Sequence, residues 1–84
     1  MEDEKEDAVR PDESKEERFK RLAEPRVNRA LDKIRLIHNL TTSQYSFSAD
    51  QASKIIRALR DAVAELEEKF QRRLERQRDK GFEL

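Results

Sequence analysis

A stripe of apolar residues with helical spacing runs through the second half of the chain, and it constrains the fold more than any other feature. Its members recur at intervals of three and four residues: Ala52, Ile55, Ile56, Leu59, Ala62, Val63, Leu66, Phe70 and Leu74. This spacing places them along one side of a single long helix. Such a helix is stable in water only when another element covers its apolar side. The chain must therefore supply a second helix or find one elsewhere.

The composition favours an all-α fold. Charged residues make up 45% of the chain, while glycine occurs once and proline twice, a balance typical of long solvated helices with few turns. The part of the chain with apolar periodicity is near the lower size limit for a core that is stable alone. We therefore expect a helix from another copy or from another protein to complete the core.

Start and stop signals divide the first half of the chain. Ser14 followed by Glu17 is a capping box, which predicts that a helix begins there. Apolar spacing continues across Pro25, whose ring costs ~3 kcal/mol inside a helix but almost nothing at its first residue. We expect Pro25 either to kink the helix or to open a second segment, and favour helices over about 15–24 and 25–40.

A polar loop separates these segments from the last helix. The hydroxyl-rich residues 41–44 stop the first helical region, and Tyr45 and Phe47 are expected to fold over the end of the helix pair. Ser48 and Gln51 form a second capping box. The last helix is predicted over about 49–79, with Gly81 ending it. The organisation is then a tail over 1–13, an antiparallel helical hairpin over 14–80 and a short tail over 81–84.

The net charge of zero conceals two oppositely charged regions. Residues 1–17 hold nine acidic and three basic side chains, which leaves sixteen basic and ten acidic ones in 18–84. An acidic segment with little apolar surface is expected to stay disordered and to act as a solubilising arm. The alternative is that its acidic residues fold back over the basic body and compete with an acidic partner. These residues are Glu2, Asp3, Glu4, Glu6 and Asp7.

The region before the loop has two apolar faces. One holds Val27, Ala30, Leu31, Ile34, Ile37 and His38. Leu36 and Leu40 lie off that stripe, so two neighbours are expected. The first is the last helix of the same chain. The second is most simply another copy, which predicts a homodimer that associates through Leu36 and Leu40 into a four-helix bundle.

Residues 26–40 and 45–48 resemble a group of small bacterial helical proteins without an assigned activity. In that group a helix ending in Asn-Leu precedes a serine-rich loop, a Tyr-x-Tyr or Tyr-x-Phe element and a second long helix. The similarity covers roughly residues 18–70 and depends on Asn39, Leu40, Tyr45 and Phe47. His38 replaces a glycine of that pattern, and Pro25 replaces a charged residue. The resemblance implies a helical fold and no particular activity.

The sequence offers little chemistry for catalysis. His38 is the single histidine, and there is no cysteine. Because Gly81 is the single glycine, a glycine-rich phosphate loop is excluded. We therefore expect no enzyme activity, no metal, no cofactor and no small-molecule substrate. No apolar run approaches the length of a membrane span or a signal peptide, so a cytoplasmic protein without a membrane partner is the expectation.

A cluster of basic residues is the broadest candidate binding surface: Arg18, Arg21, Arg26, Arg29, Lys33 and Arg35. We expect it to bind an acidic protein partner together with Tyr45 and Phe47, because arginines beside exposed leucines suit a protein interface. The alternative is a nucleic-acid-binding regulator that uses the same cations against phosphates. A third interpretation is a solvated helix face.

Overall fold

The computed structural model describes residues 9–80 and the side chains of residues 9–78. Two helices account for most of this part: α1 spans Lys15–His38 and α2 spans Ala49–Lys80. A short 3₁₀ helix over Asn39–Thr41 follows α1 directly. Residues 9–80 contain no strand, so the all-α class is confirmed.

α1 begins at the capping box predicted from the sequence. The backbone N–H of Glu17 donates to Ser14 Oγ at 3.0 Å, and the N–H of Ser14 donates to Glu17 Oε1 at 2.9 Å. Two amides that the first turn leaves without helical acceptors are thus satisfied. The Ser14 N–H bond favours the ionised carboxylate and so lowers the pKa of Glu17.

α1 is a single helix that contains Pro25 in its interior. The favoured separation into helices over 15–24 and 25–40 is therefore corrected. A proline inside a helix removes one backbone hydrogen bond and its ring clashes with the preceding turn. Its φ is nevertheless fixed near the helical value, so the helix can continue through it. The side chain of Arg29 binds this turn, since its Nε donates to the carbonyl of Pro25 at 3.2 Å. The predicted kink stays a prediction.

Hydroxyl chemistry stops α1 where the loop was predicted. The last α-helical residue is His38, and Thr41 Oγ1 donates to its carbonyl at 2.8 Å. The backbone N–H of Tyr45 then donates to the carbonyl of Thr42 at 3.1 Å and forms a turn. Side-chain hydroxyls that satisfy terminal carbonyls compete with further helix, which explains the position of this stop.

α2 begins at the second predicted capping box. The N–H of Gln51 donates to Ser48 Oγ at 3.1 Å, and the N–H of Ser48 donates to Gln51 Oε1 at 2.9 Å. The helix extends to Lys80, one residue beyond the predicted end. The proposed role of Gly81 and the tail over 81–84 lie outside the described residues, as do residues 1–8.

The chain divides between Tyr45 and Ser46 into two units, one holding α1 and the other α2. Over residues 9–78 no side chain is buried, and the large exposed apolar residues range from 36% exposure at Ile37 to 66% at Val9. Ile56, which the sequence placed in a hairpin core, is 48% exposed. The single chain therefore provides two amphipathic helices without a buried core in its described part.

Candidate interaction surfaces

Most of the apolar stripe of α2 is exposed, while Ala52 and Leu59 are partly covered. The large side chains that remain accessible to water are those of Ile55, Ile56, Val63, Leu66, Phe70 and Leu74. Each large apolar side chain is worth ~1.5–3 kcal/mol when it is fully buried. Large exposed apolar patches are typical of surfaces that bind other proteins, membranes or ligands.

α1 carries a second apolar surface. Val27, Leu31, Ile34 and Ile37 lie on one side of the helix and are exposed. His38 is exposed at the end of this surface in the single chain. Its carbonyl accepts the Thr41 hydroxyl, which gives the residue a place in the helix stop.

Four of the six candidate cations share one face of α1, which we call the basic face. Intervals of three and four residues align them with Leu22, Leu36 and Leu40. These cations are Arg18, Arg26, Arg29 and Lys33. Leu36 and Leu40 are 58% and 48% exposed. The predicted binding cations and the predicted self-association leucines therefore belong to the same surface.

The other two candidate cations are held by carboxylates. Arg21 binds Glu13 with two hydrogen bonds, from Nε to Oε2 at 2.6 Å and from Nη2 to Oε1 at 2.9 Å. Arg35 Nη1 binds Asp32 Oδ1 at 2.7 Å. Their charges are compensated by carboxylates of α1 and of the segment before it.

The Glu13–Arg21 pair is the most shielded polar contact described in the structure. The two side chains retain 9% and 18% exposure, respectively. The Arg21 hydrogen bonds, together with its positive charge, lower the pKa of Glu13. The N–H of Glu13 also donates to the carbonyl of Arg10 at 3.0 Å. Residues 9–13 thus contain a turn fixed to α1, which the prediction of a disordered tail over 1–13 did not include.

Tyr45 and Phe47 lie on the two sides of the division between the units, and both rings are about half exposed. They were expected to cover the end of a helix pair, but neither is buried in the single chain. Their exposed aromatic surface is of the type that is enriched at the centres of protein interfaces.

The outer face of α2 carries mixed charges in pairs. Arg72 Nη2 binds Glu68 Oε1 four residues earlier in the helix. Lys54 Nζ lies 3.1 Å from Asp50 Oδ2 in a further pair near the start of the helix. Such exposed pairs contribute only ~0.2–0.5 kcal/mol each. They describe a face that is suited to water.

The described residues contain no group of three or more histidine, cysteine or acidic side chains that could hold a metal ion. Neither α1 nor α2 is sufficiently long and apolar to cross a membrane. The chemistry of the described surface is therefore that of exposed apolar stripes, a basic face and surface ion pairs.

Comparisons with protein-family models, with curated proteins and with solved structures found no match.

Proposed function

We propose that this chain is a small non-enzymatic protein-interaction module that works in the cytoplasm. The observation that carries this proposal is the combination of two amphipathic helices with the absence of any buried side chain over residues 9–78. Apolar surface exposed on this scale is stabilised when a second protein surface covers it. Binding is then part of how the chain completes its fold.

The proposed assembly is a homodimer in which α1 and α2 form an antiparallel hairpin and two hairpins form a four-helix bundle. Two apolar surfaces on α1 support this arrangement, because each needs a different neighbour. Leu36 and Leu40 are the proposed self-association residues. Both are exposed in the single chain, and Leu36 lies on the opposite side of α1 from Val27 and Ile34.

The proposed partner is an acidic protein surface that docks on the basic face and on Tyr45 and Phe47. The aromatic rings supply apolar contacts there, since Leu36 and Leu40 are assigned to self-association, while the cations accelerate encounter with a negatively charged partner. Arg18 and Lys33 have no acidic residue three or four positions away in α1, so helical spacing gives these two cations no ion pair.

A charge-reversal comparison tests partner binding. Purified chain is cross-linked in a cell extract, and the proteins captured by the natural chain are compared with those captured by Arg26→Glu/Lys33→Glu. Arg57→Glu, on the outer face of α2, is the matched control. The proposal expects an acidic protein that is captured by the natural chain and by the control but lost with the double variant. Equal capture by all three chains would contradict it.

Salt dependence distinguishes the nucleic-acid alternative. Fluorescence anisotropy with a labelled DNA duplex and a labelled RNA strand is measured at ~50 and ~200 mM salt. Several phosphate contacts would give binding that weakens by orders of magnitude between these concentrations. The protein-interaction proposal expects no such binding.

A further inference from the structure

The apolar stripe of α2 fits a heptad pattern in which two positions, a and d, alternate at intervals of three and four residues. The a positions hold Ala49, Ile56, Val63 and Phe70, and the d positions hold Ala52, Leu59, Leu66 and Arg73. Only the last of these eight residues is charged. A helix with this pattern pairs with a second helix of the same type along the a/d side.

Arg73 favours an antiparallel pair over a parallel one. In a parallel pair of identical helices, each d residue faces its own copy, so two Arg73 guanidinium groups would meet in the apolar contact. Like charges in a dehydrated contact are strongly unfavourable. In an antiparallel pair a residues face d residues, and the two copies of Arg73 lie at opposite ends of the assembly.

The charges of Arg60 and Glu67 favour one register of the antiparallel pair of α2 helices. Both occupy the e position beside the contact and are exposed. Neither has an oppositely charged residue three or four positions away in α2, so the helix itself gives them no ion pair. In an antiparallel pair e positions of the two helices face each other. One register places Arg60 of each copy beside Glu67 of the other and forms two opposite-charge pairs.

The same register also gives the greatest overlap. It centres the contact between residues 64 and 65, which is the middle of the helix Ala49–Lys80. Val63 of one copy then faces Leu66 of the other, and Leu59 faces Phe70. Arg73 lies beside Ile56 near the outer part of the contact, where its long side chain reaches water. Charge complementarity and helix length therefore select one arrangement independently.

We propose that α2 pairs antiparallel with α2 of a second copy, centred on Val63 and Leu66 and flanked by two Arg60–Glu67 pairs between the copies. This inference rests on the homodimer of the proposed function and specifies one of its contacts. The second copy then contributes to the cover of the α2 stripe, whose large apolar residues include Ile56, Val63 and Leu66 at 48%, 60% and 54% exposure.

Spin labels measure the direction and register of the pair. The chain has no cysteine, so Ser53→Cys introduces a single labelling site on an exposed residue of α2. In the proposed register, residue 53 of one copy lies opposite residue 76 of the other. The two labels are then separated by about 34 Å along the axis at 1.5 Å per residue. Ala64→Cys is the matched control near the centre, where the two labels lie at nearly the same height.

Double electron–electron resonance on the full-length dimer is expected to give a long distance for Ser53→Cys and a short one for Ala64→Cys. Short distances for both would show a parallel pair and overturn the inference. An axial separation of about 24 Å for Ser53→Cys would show a one-heptad shift of register and overturn the Arg60–Glu67 pairing. A monomeric natural chain would overturn both the homodimer and this pairing of α2. A dimer with the wrong label distances would overturn the pairing alone.

Charge reversal tests the flanking pairs separately. Arg60→Glu and Glu67→Arg each place like charges together twice in the dimer, and the dissociation constant is expected to rise on the order of tenfold for each. The double variant restores both pairs and is expected to return close to the natural value. Arg57→Glu, on the outer face, is the control that leaves dimerisation unchanged. Additive weakening in the double variant would refute the pairing.

Discussion

Replacing Ser48 with alanine tests how strongly α2 depends on its capping box. The substitution removes the Oγ atom that accepts the Gln51 N–H at 3.1 Å, while the Ser48 N–H that donates to Gln51 Oε1 is retained. Loss of an N-cap hydroxyl costs about 1 kcal/mol of stability per helix. The proposed dimer contains two such caps, so its unfolding free energy is expected to fall by about 2 kcal/mol, equivalent to roughly 30-fold in the unfolding constant.

Denaturant unfolding followed by circular dichroism measures this change at one fixed chain concentration, because dimer stability depends on concentration. Ser53→Ala is the matched control, since it makes the same substitution five residues later in the helix interior. Alanine is the best helix former, so the control is expected to be unchanged or more stable by about 0.5 kcal/mol. Ser48→Asp is expected to retain stability, because aspartate is also a strong N-cap.

The reasoning would be refuted if Ser48→Ala were as stable as the natural chain. Equal destabilisation by Ser48→Ala and Ser53→Ala would also refute it, since the effect would then reflect serine in α2 generally rather than the cap.

Further predictions concern α1. Pro25→Ala is expected to stabilise the chain by up to ~3 kcal/mol in denaturant unfolding, because alanine restores the missing backbone donor; a loss of stability would contradict the uninterrupted helix. The lowered pKa of Glu13 means that its pair with Arg21 adds stability above the ordinary glutamate pKa and loses it as pH falls through the lowered value. Carboxyl NMR titration should therefore show the Glu13 pKa rising in Arg21→Gln, and an unchanged value would exclude the pair in solution. Leu36→Asp and Leu40→Asp are each expected to give a monomer in light scattering, whereas an intact dimer would remove these leucines from the interface.

Local signals in the sequence predicted both helix starts correctly. Ser14 with Glu17 and Ser48 with Gln51 act through bonds between residues three positions apart, so no knowledge of tertiary structure is needed to recognise them. The stop after His38 is equally local, because the Thr41 hydroxyl binds the carbonyl three residues earlier. These interactions explain why the outer bounds of the two helical regions, though not the predicted boundary at Pro25, lie within two residues of those observed.

Interactions over longer separations were not predicted. Glu13 lies before the cap of α1, yet it binds Arg21 eight residues later, a spacing that no helical pairing rule covers. Pro25 illustrates a balance of energies: its cost suggested a break, while its helical φ and the continuous apolar spacing are compatible with one helix. The apolar periodicity likewise identifies which side of α2 is apolar, but it does not show which helix or protein packs against that side.

Analytical ultracentrifugation combined with circular dichroism over a dilution series tests the central claim that a second copy covers the exposed apolar stripes. The account predicts twice the mass of one chain at micromolar concentration, little dependence on salt, and helix content that falls together with the dimer on dilution. A monomer that keeps its full helix content at every concentration would contradict the account.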